Sequence, residues 1–330
     1  MTGSKQGLSR TRVSLSCIKY ADHQIQNIHK KVIDKLHSLI NHMYNPKECP
    51  VKDVRTKDVR TMVFSIGFYS GGSSIIGHLL TAHPNIVMAD EARLNSFVDI
   101  NNRYDELFNY LLQIDSSRYQ DWKLAFDTNK IKHDARSPSR IKRYMHVPNQ
   151  YQGHFHKLQV IGNKNRRKDV SILANTDLLK DLRSQLEDNK ISLKFIFAVR
   201  NLYDTIATIY IKYRVKEKRE HRAKLSSIND IIEAMEIVCS DNQKILKQID
   251  SNDVLICKNE DLIANPKLQI TRLCDFLKVS ASADYINACA SCVFNKPTNE
   301  RLELDWSGEH KQKINSLIKK YDFLYGYDYS

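Results

Sequence analysis

The feature that most constrains this chain is a glycine-rich loop between a β-type run and an amphipathic helix. Met62–Ile66 is apolar, Gly67–Gly72 contains three glycines, and a helical pattern runs from Ser73 to about Leu80. A loop of this kind leaves backbone N–H groups pointing into open space, and the positive end of the helix dipole points the same way. The sequence therefore predicts an anion site suited to phosphate or sulfate.

The same loop argues against a nucleoside-triphosphate site. Gly67 and Gly72 have the spacing of a triphosphate-binding loop, but the next residue is Ser73 where such a loop has lysine. The sequence also shows no clear strand-end aspartate for magnesium. A nucleoside-triphosphate-dependent kinase is kept as an alternative enzyme class, and the missing lysine directs attention to other anions.

Strand-like and helical patterns alternate along the rest of the chain. Strands are predicted at Met62–Ile66, Ile86–Met88, Leu158–Ile161, Leu193–Val199 and Val254–Cys257. Helices are predicted at Asn175–Leu186, Asn201–Tyr213, Ser227–Gln248 and Pro266–Leu277. The alternation predicts an α/β fold with a central parallel sheet between two helical layers. Ligands of such sheets bind at the carboxyl ends of the strands, where the glycine loop would lie.

The chain divides into segments of different character. Residues 1–18 are polar and without periodicity, which predicts a disordered tail, and residues 19–60 predict an N-terminal helix and a linker. Residues 61–330 are expected to form the main domain. Within it, the basic stretch 127–157 predicts an irregular excursion that covers the substrate.

Charge and composition limit the function classes. The formal net charge is +13, with basic excess in Lys5–Arg60, Lys130–Lys168 and Lys212–Lys224. Because no basic motif is interleaved with aromatic residues, a solvated surface or a site for an anionic cofactor is favoured over nucleic-acid binding as the reason for this charge. No apolar run reaches membrane-spanning or signal-peptide length, which predicts a cytoplasmic protein without a membrane span.

Cysteine usage predicts no metal site. The seven cysteines are scattered, and the single pair Cys289 and Cys292 has no second pair to complete a zinc site, so buried free thiols are expected. The oligomeric state is left open, with a homodimer as one alternative.

A second anion-binding element follows the strand Leu193–Val199. Arg200 ends that strand, and Thr208 lies eight residues later on the following helix. An arginine can hold a phosphate with two N–H groups, and a hydroxyl adds a neutral donor. The alternative interpretation is a salt bridge between Arg200 and Asp204.

A third segment, Phe294–Trp306, carries polar and basic residues in a turn-rich stretch. Lys296, Asn299 and Arg301 cluster there without strong periodicity. The segment is either a solvated loop or a cover that folds over an anionic nucleotide.

These segments, in this order, resemble the sulfotransferases that use 3′-phosphoadenosine 5′-phosphosulfate (PAPS). The similarity runs from about Met62 to the C-terminus, where Trp306–Tyr329 is like the final helix of the family. Ala82–Arg93 resembles tyrosylprotein sulfotransferases and bacterial small-molecule sulfotransferases, and Tyr144–Lys164 resembles the bacterial group. The resemblance implies the P-loop-like sulfotransferase fold.

The resemblance implies two sets of nucleotide-binding residues. The 5′-phosphosulfate would be held by Ser70, Gly71, Gly72, Ser73, Ser74 and Ile75. The 3′-phosphate would be held by Arg200 and Thr208, with Lys212 one turn further along the helix. Lys296, Asn299 and Arg301 would match the late loop that closes over the nucleotide.

The resemblance also implies a catalytic group. Glu91 matches the catalytic carboxylate of the tyrosylprotein branch, Arg93 its accompanying arginine, and Lys164 a lysine near the transferring sulfuryl group. The alternative bases are His146, His154 and His156.

Two positions depart from the family pattern. Ser70 stands where the phosphosulfate loop usually begins with Lys or Arg, so either the missing charge comes from Lys164, Arg93 or another basic residue, or the enzyme is slow. Asn259 replaces an aromatic residue that contacts the nucleotide.

The expected function is transfer of a sulfuryl group from PAPS to a hydroxyl or amine of a small, natural-product-like acceptor in secondary metabolism. In-line displacement of this kind depends on positioning and electrostatics, and it needs no metal because the leaving phosphate of adenosine 3′,5′-bisphosphate (PAP) is already a good one. A sulfotransferase-like protein that binds nucleotide without transfer is the non-enzyme alternative.

Overall fold

The computed structural model describes a defined part of the chain. It covers residues 56–68, 70–94, 103–113, 133–134, 137–141, 147, 149–175, 177–220 and 227–330. The chain divides into two units, Met1–Val51 and Lys52–Ser330, and all described residues belong to the second. The predicted tail at 1–18 and the predicted helix within 19–60 lie outside the described residues, so these domain assignments stay predictions.

A five-stranded parallel sheet forms the centre of the described fold. Its strands are β1 (Thr61–Gly67), β2 (Ile86–Asp90), β5 (Val160–Lys164), β6 (Ser192–Val199) and β7 (Val254–Lys258). They lie in the order β2-β5-β1-β6-β7, and every neighbouring pair is parallel. A separate two-stranded hairpin consists of β3 (His133–Asp134) and β4 (Ser137–Ile141). The predicted α/β fold with a central parallel sheet is confirmed.

Strand β5 begins and ends later than the sequence pattern indicates. The apolar run suggests Leu158–Ile161, whereas the strand reaches Lys164. Gly162 explains the difference, because a Cβ there would lie 2.4 Å from the Met88 sulfur and 2.5 Å from Val63. Glycine has a low β-propensity, so the sequence pattern does not extend the predicted strand through Gly162.

Nine α-helices of the described part of the chain are numbered in chain order. They are α1 (Ser73–Thr81), α2 (Arg167–Asn175), α3 (Leu178–Asp188), α4 (Leu202–Glu220), α5 (Ile228–Leu246), α6 (Asn259–Ala264), α7 (Pro266–Phe276), α8 (Ala283–Ser291) and α9 (Gly308–Lys320). Residues 104–113 are also helical. Short 3₁₀ helices occupy Ser251–Asp253, Glu300–Glu303 and Asp322–Leu324. The sequence pattern missed α2, because its basic opening conceals the apolar face of Val170 and Leu173.

Two apolar cores cover the two faces of the sheet. Along β1, Met62, Phe64 and Ile66 belong to one core and Val63 belongs to the other, as the twofold alternation of a strand requires. The first core includes residues of α2 to α5 and α9, and the second includes residues of α1, α7 and α8. Full burial of a side chain of this size stabilises the fold by roughly 1.5–3 kcal/mol.

Cysteines of the described part lie in or beside these cores as thiols. Cys239, Cys257, Cys274 and Cys289 are buried, and Cys292 is half-buried. Burial raises the pKa of each of the four buried thiols to about 12. At neutral pH these groups are therefore protonated and act as small apolar side chains.

His83 is a buried imidazole at the turn between α1 and β2. Its side chain is 0% exposed. Its Nε2 lies 3.0 Å from the Ser280 carbonyl oxygen, and its Nδ1 accepts from the Asn85 amide at 3.1 Å. These partners select the neutral tautomer with hydrogen on Nε2, since protonation of Nδ1 would remove the acceptor of Asn85. Burial lowers the pKa of His83.

We expect His83 to make the protein less stable at mildly acidic pH. Below the unfolded-state pKa of about 6.5, the unfolded chain binds a proton that the folded chain does not. The free energy of unfolding should therefore fall as the pH decreases from about 6.5 towards the lowered pKa of folded His83. Denaturant unfolding of the wild type and of His83→Gln at several pH values measures the effect.

The His83→Gln variant keeps one donor and one acceptor but cannot titrate, so its stability should depend less on pH than that of the wild type. His154→Gln, at an exposed position, is the matched control and should keep the wild-type profile. Parallel pH profiles for wild type and His83→Gln would contradict the assignment.

Candidate functional site

The glycine loop is shaped by a close approach between β1 and β6. Gly67 has φ 131°, and a Cβ there would lie 2.1 Å from the Ala198 carbonyl oxygen. Gly72 has φ 101° and occupies the N-cap position of α1. Only glycine fits both requirements without strain, so the loop turns sharply from the end of β1 into the start of α1.

The start of α1 has the properties of an anion site. The first turn of α1 contains no acidic residue, and the first amides of any helix have no carbonyl partner within it. The hydroxyls of Ser73 and Ser74 lie at the same end. This part of the loop forms one wall of a cleft with a volume of about 410 Å³. A small anionic group therefore fits the residues present here.

Lys164, at the end of β5, connects the loop to two carboxylates. Its Nζ donates to Ser74 Oγ at 3.0 Å and lies 2.7 Å from Asp90 Oδ1 and 3.0 Å from Glu91 Oε1. The Lys164 side chain is only 12% exposed. The Lys164 ammonium group thus contacts both the glycine loop, at Ser74, and the two acidic residues.

Glu91 is held in an unusual backbone conformation directly after β2. Its φ is 63°, and its amide donates to the Lys164 carbonyl at 2.9 Å. The buried Asn163 accepts from the Ala92 amide and donates to the Ala92 carbonyl, both at 3.1 Å. A non-glycine residue with positive φ needs such surrounding support. The Glu91 side chain is 45% exposed and lines the cleft.

Asp169 supports the same turn and holds Arg166. It accepts from the Leu94 amide at 3.1 Å and from Arg166 Nε at 2.9 Å, and it is 0% exposed. These hydrogen bonds raise the pKa of Arg166. No local pattern in the sequence singles out these residues, because Asp90 and Asn163 become neighbours only through the parallel pairing of β2 and β5, and Asp169 reaches the turn from α2.

Arg200 lies at the end of β6 and contacts the predicted hydroxyl partner. Its Nη1 donates to Thr208 Oγ1 at 3.0 Å and to the Ser70 carbonyl at 3.4 Å. Its Nη2 donates to the Thr298 carbonyl at 3.0 Å and forms an ion pair with Glu300. The guanidinium is nearly buried, and its partner carboxylate is Glu300 rather than the Asp204 considered from the sequence.

Asp204 pairs with Arg301 instead. Arg301 Nη1 lies 2.6 Å from Asp204 Oδ2, and the Arg301 amide donates to Asp204 Oδ1 at 2.9 Å. Burial raises the pKa of Asp204, and Arg301 opposes this shift. Arg301 also donates to the Tyr329 and Ser330 carbonyls at 2.9 and 2.7 Å. Arg301 therefore fastens the C-terminal segment to α4.

The other two residues predicted in the late segment, Asn299 and Lys296, have different environments. Asn299 Oδ1 accepts from Arg301 Nη1 at 3.3 Å. Lys296 is exposed. The segment Phe294–Trp306 thus joins the Arg200 region through Thr298 and Glu300, two residues that carry no local signal in the sequence.

Ser70 has a basic neighbour from another element. Ser70 has φ 56°, and Lys212 Nζ donates to Ser70 Oγ at 2.9 Å. Lys212 is one turn after Thr208 on α4. Its ammonium group therefore supplies a positive charge next to Ser70, the loop position where the family usually has Lys or Arg. Lys164 contacts the opposite end of the loop, at Ser74. Arg93 is exposed, and its amide donates to the Tyr110 hydroxyl at 3.1 Å.

Asn259 packs against the glycine loop. A Cβ on Gly72 would lie 2.9 Å from Asn259 Oδ1. The adjacent Glu260 accepts from the Asn201 amide at 2.9 Å and from the Tyr327 hydroxyl at 2.7 Å. Asn259 thus borders the loop at the position where an aromatic residue was expected.

The described histidines considered as alternative bases lie at the other end of β2. The His156 amide donates to the Pro84 carbonyl at 3.0 Å, ahead of the first residue of β2, Ile86. His154 donates its amide to the Tyr151 carbonyl at 3.0 Å in the same stretch. Glu91 follows the last residue of β2. His146 lies outside the described residues.

Two kinds of feature are absent from the part of the chain that the structure describes. It contains no group of three or more His, Cys, Asp or Glu residues placed to hold a metal ion. None of its helices combines the length and the apolar character that a membrane crossing requires.

Comparisons with known proteins give a family match and several structural neighbours. A model of the Sulfotransferase family matches residues 63–283. The sulfotransferase domain of the Synechococcus PCC 7002 olefin synthase has 16% identity and a TM-score of 0.45, covering 82% of this chain and 97% of that chain. Sulfotransferase STF9 from Mycobacterium avium has 12% identity and a TM-score of 0.45, covering 87% and 81%.

A third neighbour is mouse sulfotransferase SULT7A1 complexed with PAP, with 8% identity and a TM-score of 0.45, covering 82% of this chain and 89% of that chain. No curated protein sequence matches the chain. The family match covers most of the chain, from within β1 to the first residue of α8. It confirms the family identified from the sequence: the chain belongs to the Sulfotransferase family.

Proposed function

We propose that this protein transfers a sulfuryl group from PAPS to a hydroxyl or amine of a small-molecule acceptor. The observation that carries the proposal is the position of Lys164, whose ammonium contacts both the anion-binding loop and Glu91 within one cleft. An anion held by the loop and an acceptor beside Glu91 would then lie on two sides of the same cation. The family match supports the class of reaction.

The donor would occupy the edge of the sheet formed by the ends of β1 and β6. Its 5′-phosphosulfate would be held by the loop 70–75, and Lys212 supplies positive charge at Ser70. Its 3′-phosphate would be held by Arg200 and Thr208, which are already hydrogen-bonded to each other. PAPS supplies an activated sulfuryl group on a good leaving group, and the protein supplies position and charge.

Glu91 is the proposed general base. Its carboxylate would accept the proton of the acceptor hydroxyl or amine as the bond to sulfur forms. Lys164 would stabilise negative charge on the loop side of the transferring group. The Asn163 hydrogen bonds hold the backbone beside Glu91, and Lys164 contacts the Glu91 carboxylate in the cleft. Arg93 is proposed as the cation that accompanies Glu91. Its amide donates to the Tyr110 hydroxyl beside the site, and its side chain is exposed.

The proposed function also includes a cellular compartment and a class of acceptor. We place the reaction in the cytoplasm, with an acceptor that is an alcohol, phenol or amine from secondary metabolism. Lys296, Asn299 and Arg301 would contribute to closure over the nucleotide through the late segment, in which Arg301 is anchored on Asp204.

The base assignment predicts the effect of Glu91→Gln. Loss of the proton acceptor should lower sulfuryl transfer by about 10²–10⁴-fold. The affinity for PAP should stay within a factor of about two, because glutamine keeps the size of the side chain and Glu91 is not assigned to nucleotide binding. Radiolabelled sulfate transfer and calorimetric PAP titration measure the two quantities.

Glu309→Gln, at an exposed position of α9, is the matched control and should retain full transfer. Survival of transfer in Glu91→Gln would remove Glu91 as the base. Tight binding of ATP–Mg with no binding of PAP would overturn the proposed function in favour of the kinase alternative. PAP binding without transfer to any acceptor in host extracts would favour the non-catalytic alternative.

The 3′-phosphate assignment predicts that Arg200→Ala selectively weakens PAP binding. The loss should be about 2–4 kcal/mol, as expected for a nearly buried guanidinium that binds a phosphate. The affinity for adenosine 5′-monophosphate, which lacks the 3′-phosphate, should change much less. Calorimetric titration of both nucleotides separates lost recognition from lost folding, and an equal loss for both nucleotides would contradict the assignment.

Glu300 predicts an opposite effect at the same guanidinium. Its carboxylate pairs with Arg200, so a 3′-phosphate would have to share or replace that partner. Glu300→Gln keeps a hydrogen-bond acceptor but removes the competing charge, and PAP should bind more tightly to this variant than to the wild type. Weaker PAP binding would show that Glu300 orients Arg200 rather than competing for it.

A further inference from the structure

Three consecutive basic residues follow Asn165 at the start of α2. Arg166, Arg167 and Lys168 all line the cleft that also contains Glu91 and Lys164. The function proposed above uses Glu91 and Lys164 but gives no role to this triplet. The sequence alone shows only a basic excess over the wider region.

The charges of the cleft are balanced unequally. Lys164 is shared by the carboxylates of Asp90 and Glu91. Arg166 is neutralised by two hydrogen bonds to Asp169, from Nε to Oδ2 at 2.9 Å and from Nη2 to Oδ1 at 3.1 Å. Among the residues that the structure describes, no carboxylate lies within ion-pair distance of Arg167 or Lys168. Within that described part, the cleft therefore has two uncompensated cations.

The sheet order places these two cations away from the predicted 3′-phosphate site. Arg200 ends β6, the glycine loop follows β1, Lys164 ends β5, and Glu91 follows β2, while the strands lie in the order β2-β5-β1-β6. Arg167 and Lys168 follow β5, on the side of the loop that faces Glu91. A group bound to them would lie beside the base rather than beside Arg200.

Their exposure suits a ligand that enters from solvent. Arg167 is half-buried and Lys168 is exposed, so both side chains can reach a bound molecule without leaving the cleft wall. A half-buried guanidinium binds a carboxylate, phosphate or sulfate through paired N–H groups, and a lysine adds a mobile point charge.

We propose that the acceptor of this enzyme is anionic, and that Arg167 and Lys168 bind its negatively charged group while Glu91 faces its hydroxyl or amine. This inference rests on the proposed function and deepens it by naming the charge class of the acceptor. Arg167 and Lys168 are specificity residues in this scheme; they take no part in proton transfer or in holding the nucleotide.

The test uses two sets of probes that share a hydroxyl and differ in terminal charge. The phenols are 3-(4-hydroxyphenyl)propanoate, 4-propylphenol and tyramine; the alcohols are 6-hydroxyhexanoate, 1-hexanol and 6-amino-1-hexanol. Binding to the PAP-loaded full chain is measured by calorimetry, and transfer from PAPS is measured alongside. In at least one set, the anionic member should bind about tenfold or more tightly than the neutral one.

Variants assign the preference to the two cations. Arg167→Ala/Lys168→Ala should lose the preference for the anion and keep wild-type PAP affinity. Arg167→Glu/Lys168→Glu should prefer the amine-bearing probes, which a merely structural role would not produce. Lys180→Ala/Lys267→Ala removes the same charge from exposed positions outside the cleft and should behave as the wild type.

Two results would overturn the inference. One is that no anionic probe binds more tightly than its neutral counterpart in the wild type. The other is that the double alanine variant loses PAP affinity, which would assign the two cations to the nucleotide. Neither result depends on Glu91, so the proposed function is judged separately, by PAP binding of the wild type and by transfer in Glu91→Gln.

Discussion

The site is organised around the ammonium group of Lys164, which is shared by Ser74 in the anion-binding loop and by the carboxylates of Asp90 and Glu91. A lysine that is 12% exposed loses much of its hydration, so its charge has to be balanced by neighbours. The two acidic residues provide that balance. The same arrangement brings Glu91, the proposed proton acceptor, and the glycine loop, the proposed anion site, into contact with one cation. The proposed transfer between an anionic donor and a neutral nucleophile requires such an arrangement.

Strand register makes this arrangement possible. Lys164 pairs with Ser65 of β1 on one side and with Asp90 of β2 on the other. A slip of one residue would turn its side chain to the opposite face of the sheet. Gly162 fixes the approach of the three strands, since a Cβ there would collide with both neighbours. Asn163 then anchors Ala92 from the buried side, so that the chain turns at Glu91 with positive φ. The backbone geometry at Glu91, the proposed base, thus depends on Gly162 and Asn163 as well as on Glu91 itself.

Local patterns in the sequence were sufficient for the fold class and for the position of the glycine loop, whereas the helices α2, α6, α8 and 104–113 were not predicted. All five strands of the sheet were predicted from short apolar runs, and the glycine spacing located the loop between β1 and α1. The pattern could not reveal contacts between residues distant in the chain. Lys212 reaches Ser70 across 142 positions, and Glu300 reaches Arg200 across 100 positions, so neither pairing has a local signature. The sequence named Lys164, Arg93 or another basic residue as the source of the missing loop charge, and the basic side chain that donates to the Ser70 hydroxyl is Lys212 of α4. The helix α2 was missed because Arg166, Arg167 and Lys168 stand at its start and leave only a short apolar pattern, Val170 and Leu173, to indicate a helix.

The two ends of the site differ in how their charges are compensated, and this difference bears on how the enzyme would bind its two substrates. At the β6 end, the guanidinium of Arg200 is nearly buried and has a carboxylate partner, so binding of a phosphate there requires exchange of one anion for another. At the β5 end, Arg167 and Lys168 face the cleft with no carboxylate partner in the described part of the chain. Exchange of Glu300 for a phosphate moderates the affinity for the phosphate, because the ion pair that is lost offsets the one that forms. Cations without a carboxylate partner, in contrast, attract anions over a Debye length of about 8 Å at physiological ionic strength. The nucleotide end would therefore select by fit to Arg200 and Thr208, and the acceptor end would select by charge.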